Sequence, residues 1–137
     1  MKIQYCINKI LSKARILKSF TQEIEQIIFY MEDIIFGIDE FLTKSLYYLS
    51  NYNTRLAFNS FYNVSDNLIM IKYTMLRLKI NAEKIIILMP KQKRIQYTND
   101  LCAINSEFNK IKIKFNTVQT KLFGNAFIWS DHIQIYN

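Results

Sequence analysis

Apolar residues recur at alternating spacings of four and three along three long stretches of this chain, and no other sequence feature restricts its fold as strongly. The first row runs Ile24, Ile28, Met31, Ile35, Ile38, Leu42, Ser45, Leu49, with one small polar member. The second runs Ala57, Phe61, Val64, Leu68, Ile71, Met75, Leu78, Ala82, Ile85, Met89, and the third Tyr97, Leu101, Ile104, Phe108, Ile111, Phe115, Val118, Leu122. A mean period of 3.5 residues puts each row on one side of an α-helix, and rows this long favour helices packed side by side as in a coiled coil. At 1.5 Å per residue, a segment of about 30 residues is a rod of roughly 45 Å. The expected fold is all-α, an antiparallel bundle of three long heptad-patterned helices plus a shorter N-terminal basic helix and an extended C-terminal tail. One domain is expected over residues 1–137, with helices at 2–18, 20–50, 54–89 and 91–123 and the tail at 124–137.

Local punctuation agrees with these limits. Ser19 with Gln22 three residues later reads as a capping box opening the second helix. Asn51-Tyr52-Asn53-Thr54 reads as a turn with an N-cap for the third. Pro90 cannot sit in a helix interior without losing a hydrogen bond, so it ends the third helix or opens the fourth. Gly124-Asn125 suits a left-handed C-cap. Connections this short make successive helices antiparallel neighbours. Three places resist. Gly37 lies mid-helix beside its seam, where it would permit close helix approach. Asn59 to Asn67 is rich in Asn and Ser and is a point where the third helix can break, with Ser65 as a second cap. Lys110 to Phe115 alternates with period two, a strand-like pattern, but the heptad runs through it on both sides and predicts helix. Ala126 to Asn137 has no clear period and is expected to be extended and docked.

Composition then removes whole classes of function. The chain holds two Gly and one Pro, too few for the turns of a many-stranded sandwich or for a Gly-rich phosphate loop. One His and two Cys cannot supply a four-ligand zinc site made of Cys and His alone. His132 lies beside Asp131 and Ser130, but triad members must converge from different elements. Glu25, Glu32 and Asp39 form a carboxylate stripe seven residues apart, yet a carboxylate-bridged metal site in a bundle also needs Glu-x-x-His pairs. No catalytic residue, cofactor site or metal site is therefore expected, and the chain is not read as an enzyme. Cys6 and Cys102 sit among apolar residues and are read as free thiols. No apolar run approaches the roughly 18 residues that a membrane span requires. The N-terminus lacks a compact apolar signal core, which predicts a non-secreted, intracellular chain. Its basic, acid-free first 22 residues loosely resemble a mitochondrial presequence, but their Ile pattern continues downstream as a helix of the fold. The abundance of Ile, Lys and Asn over Ala matches AT-rich codons, as in organellar, endosymbiont, parasite or viral genomes.

The net charge of +7 is unevenly spread. Residues 1–20 carry +5, residues 21–43 carry −6, and the remainder +8. Two reversals of sign suggest pairing between a basic and an acidic helix, with Lys2 and Lys9, also seven apart, as mates for the acidic stripe. Excess positive charge gathers at Lys91, Lys93 and Arg94 and again at Lys110, Lys112 and Lys114. Lys91, Lys93, Arg94, Lys110 and Lys114 are the candidate nucleic-acid contacts.

The second helix has more apolar surface than one seam can use. Ile27, Ile34, Phe41 and Tyr48 form a second column, and Phe29 and Phe36 a third. A helix apolar over more than half its circumference is buried from several sides. Phe29 and Phe36 are therefore the candidate protein-interaction residues, unless the first helix or the tail, with Phe127 and Trp129, folds over them. The expected function is a non-catalytic helical subunit that docks to other proteins, or self-associates, in a larger assembly. The alternative is a small basic nucleic-acid-binding bundle such as a ribosome-associated subunit.

Overall fold

The computed structural model describes residues 3–13 and 20–124; within the first of these, side chains are described through Lys9. The expected tail, His132, Phe127 and Trp129, Lys2 and the Ser19 cap lie outside the described residues. Five helices follow in order: α1 (Ile3–Lys13), α2 (Phe20–Ser50), α3 (Thr54–Ser65), α4 (Leu68–Ile86) and α5 (Lys91–Phe123). The described chain is all-α, and residues 110–115 are helical despite their alternating pattern.

α2 is the hub and packs against each of the other four helices. Its end is built by backbone hydrogen bonds. Tyr52 N–H donates to the Leu49 carbonyl and Asn53 N–H to the Tyr48 carbonyl, while Tyr52 takes the left-handed conformation at φ 57°. This is a Schellman-type cap with tyrosine where glycine is the usual occupant. Asn53 then caps α3, its side chain accepting from Leu56 N–H at 3.2 Å. The connection is three residues long, so α3 doubles back along α2. Just beyond the turn the polar member of the first row is explained: Ser45 is buried and donates to the Ala57 carbonyl at 2.8 Å. Two small residues face each other there, and the hydroxyl satisfies itself on backbone.

The third helix is not continuous over 54–89. It divides into α3 and α4 at Asp66–Asn67. Asparagine side chains compete with the backbone for helical carbonyls: Asn63 donates to the Asn59 carbonyl and Asn67 to that of Asn63. Asn67 N–H then tightens to the Val64 carbonyl at 3.1 Å. Asn67, not Ser65, is the N-cap of α4. The apolar row crosses the break, with Val64 and Ile71 buried and Leu68 half-buried between them. α1 spans residues 3–13 within the described part of the expected 2–18.

Pro90 is the N-cap of α5 and Gly124, at φ 73°, its C-cap. Tyr97 on α5 meets Glu25 on α2, and Lys114 meets Asp39. Both pairs advance together along the two helices, so α2 and α5 run in the same direction, with α3 and α4 returning between them in sequence. The core is drawn from all five helices: Ile7; Ile24, Met31, Ile38 and Leu42; Phe61; Ile71, Met75 and Leu78; Leu101, Phe108 and Phe115 are all fully buried or nearly so. At the far end Phe61 packs on Phe115 with centroids 5.0 Å apart, and Phe123 packs against Phe58 at 5.3 Å, joining α3 to the end of α5.

Candidate interaction surface

An open groove of about 560 Å³ runs between α2 and α5. Its floor is Ile35, Ile104 and Ile111, and Phe36 stands at its lip. Charges edge it on both sides: Glu32 and Asp39 from α2, Glu107, Lys110 and Lys114 from α5. The local cause is visible in α2. Met31 and Ile38 are buried, whereas Ile28 and Ile35 of the same row are only half-buried. Two polar clasps tie the helices. Tyr97 donates to Glu25 at 3.0 Å, and Lys114 Nζ donates to Asp39 at 2.7 Å and to Thr43 Oγ1 at 2.6 Å. Burial raises the Tyr97 phenol above its ordinary value, and the hydrogen bond and negative charge of Glu25 add to that.

These clasps correct the expected use of the acidic stripe. Glu25 and Asp39 find partners on α5 and Glu32 faces the α2–α5 groove, so among the described residues the stripe's mates lie on α5 rather than at Lys9 of α1; Lys2 lies outside the described residues. α1 instead lies on another side of α2, where Ile3, Cys6 and Ile7 share a crevice with Asp33, Ile34, Gly37 and Glu40. Burial, followed by the nearby Asp33 carboxylate, raises the Cys6 thiol, with Lys9 opposing. Cys6 and Cys102 are both free thiols, on α1 and α5. Gly37 is not a close-approach glycine, because a Cβ built there meets nothing within 4 Å.

The two phenylalanines of the third column are bare. Phe29 is 61% exposed and Phe36 67%. Phe36 stands on the ridge between the α1 crevice and the α5 groove and lines both. The five candidate nucleic-acid contacts do not form one surface. Lys91, Lys93 and Arg94 are exposed at the start of α5. Lys110 is ion-paired to Glu107 at 2.9 Å, and Lys114 to Asp39. Arg94 and Lys110 are 16 residues apart on one helix, roughly 24 Å along its axis.

The structure also exposes apolar residues that the first reading passed over. Ile69, Tyr73 and Ile80 are exposed along α4, with Leu76 half-buried among them and Ile87 exposed just past its end. The spacing is again four and three, offset from the buried row, so the same period that marks the core also marks this second column. Among the described residues no helix is long and apolar enough to cross a membrane, and no cluster of three or more His, Cys, Asp or Glu is placed to hold a metal ion. Compared with family models, curated proteins and solved structures, the chain matches none.

Proposed function

We propose that this chain is an intracellular, non-catalytic interaction subunit, an antiparallel heptad-seamed bundle that docks an amphipathic helix of a partner protein in the α2–α5 groove. The observation that carries the reading is the exposure of Phe29 and Phe36 on a helix whose other two apolar columns are buried or half-buried. Soluble chains rarely leave large apolar patches bare, and a partner helix meets a groove through apolar anchors at helical spacing. The groove has the matching anatomy, an apolar floor edged by charges of both signs. The two free cysteines fit a reducing compartment. The nucleic-acid alternative is less well supported, because two of its five cations are engaged by neighbouring carboxylates.

The test is recovery of complexes from native cells through the tagged full chain and through its F29S/F36S variant, with helix content and melting followed in both. A stoichiometric partner protein held by the natural chain and lost by a folded variant supports the reading. No stoichiometric partner, or one held equally by both, overturns it.

A further inference from the structure

The turn joining α4 to α5 and the helix ends beside it expose branched aliphatic and cationic side chains together. Ile87 is 71% exposed, Leu88 63% and Ile95 54%. Lys84, Lys91, Lys93 and Arg94 are exposed among them. Residues 84–99 contain no acid. The tip is held from within, since Ile85, Ile86 and Met89 are buried and Leu88 and Met89 N–H donate to the Ile85 and Ile86 carbonyls. Ile87 and Leu88 therefore project from an anchored turn. Phe20, also exposed, opens α2 at the same end of the molecule, because α2 and α5 run in the same direction.

This arrangement works against the fold in two ways. Exposed aliphatics add nothing to the core. Lys91, Lys93 and Arg94 crowd the start of α5, where the helix dipole already presents positive charge. No acid lies in that first turn, and the Pro90 cap supplies no side-chain acceptor to its N–H groups. Both disadvantages are relieved by a surface that is anionic outside and apolar beneath.

We propose that this tip docks on the surface of an anionic phospholipid bilayer. Ile87 and Leu88 enter the boundary between headgroups and acyl chains, while Lys84, Lys91, Lys93, Arg94 and the first N–H groups of α5 meet lipid phosphates. The residue types favour lipid over the other anionic partners. Single-stranded nucleic acid is bound by basic grooves with aromatic stacking platforms, and residues 84–96 contain no aromatic side chain. Protein interface cores are rich in aromatics and poor in Lys, the opposite of residues 84–96, which carry three Lys and no aromatic.

The experiment is co-sedimentation of the full chain with vesicles of phosphatidylcholine alone and of phosphatidylcholine mixed with phosphatidylserine, at low and high salt. The variants are I87S/L88S, K91Q/K93Q/R94Q and, as a control away from the tip, F29S/F36S, each checked for unchanged helix content. Salt-sensitive binding to the phosphatidylserine vesicles is expected. K91Q/K93Q/R94Q should weaken it about a hundredfold, I87S/L88S at least about tenfold, and F29S/F36S should leave it unchanged. Absence of binding to the anionic vesicles overturns the proposal, as does binding that I87S/L88S leaves intact. A chain that ignores vesicles but binds a single-stranded RNA oligonucleotide through Lys91, Lys93 and Arg94 would assign the tip to nucleic acid and overturn it equally.

Discussion

Deleting the same ring at two positions should give opposite results. Phe108 is buried in the third row, and Phe36 stands on the outside of α2. Phe108→Ala removes a large side chain from packed surroundings and leaves a cavity, at about 3–5 kcal/mol. That is a large share of the roughly 5–15 kcal/mol that holds an ordinary domain together. With an unfolding entropy of about 2.1 cal/mol/K per residue, a loss of about 4 kcal/mol lowers the midpoint of a chain this size by about 14 °C. Phe36→Ala takes away a ring that is mostly in water already, so its effect should stay within about 0.5 kcal/mol, or under about 2 °C. The assay is thermal and urea unfolding of both variants beside the natural chain, followed by the circular dichroism of the helices and treated as two-state. If Phe36→Ala falls as far as Phe108→Ala, the third column of α2 is core and the docking surface does not exist. If Phe108→Ala melts within a degree or two of the natural chain, the packing of α5 is wrong.

Three other outcomes follow from the clasps and from α2. In a double-mutant cycle, Asp39→Ala and Lys114→Ala should couple by about 0.2–1 kcal/mol, the range of partly exposed pairs, while Glu32 and Lys9 should show no coupling; the reverse would restore α1 as the partner of the acidic stripe. Because the Tyr97 phenol is raised in the folded chain, unfolding releases its proton more readily as pH climbs. Its contribution is whole below the ordinary phenol value of about 10 and is lost as pH rises through the folded value, so Tyr97→Phe should flatten the alkaline fall in urea midpoint, and an unchanged slope refutes the assignment. Gly37→Ala should raise stability by about 0.5–1 kcal/mol, the helix preference of alanine with no clash to offset it; a lower melting point would mean that α1 lies closer to Gly37 than the structure has it.

Helical class was legible because period and punctuation agree: Pro90 opens α5, Gly124 closes it, and Phe61, Met75 and Phe108 are buried. The break at Asp66–Asn67 was visible only as a cluster of asparagines. Whether such side chains win a carbonyl from the backbone is decided by a few tenths of a kcal/mol that no pattern records. Which neighbour each face meets was less legible still. A stripe such as Glu25, Glu32 and Asp39 shows that one side of α2 is charged, but its mates depend on the order of helices around α2. Exposed ion pairs contribute under about 1 kcal/mol, too little to leave a matching pattern in the partner. For the same reason the two basic groups of α5 were legible as groups, but the pairing of Lys110 with Glu107 and of Lys114 with Asp39 was not. The exposed column of α4 carries the same period as a core seam, and period alone does not separate a face covered by its own chain from one left bare.

The same-direction pairing of α2 and α5 also sets an order of assembly. Ser45 and Ala57 are 12 residues apart and meet across a three-residue turn, whereas Asp39 and Lys114 are 75 apart. The second contact closes a far longer loop and is reached only after the chain has reversed twice, so its entropy is spent before any contact repays it. α2 and α3 should thus zip early and α5 should close last, leaving the α2–α5 seam as the first place to breathe in the finished molecule. Amide hydrogens of α5 exchanging ahead of those of α2 and α3 would report that order, and uniform protection across the helices would contradict it. The groove floor of Ile35, Ile104 and Ile111 would then be a surface that widens by the same fluctuation that undoes the last step of folding.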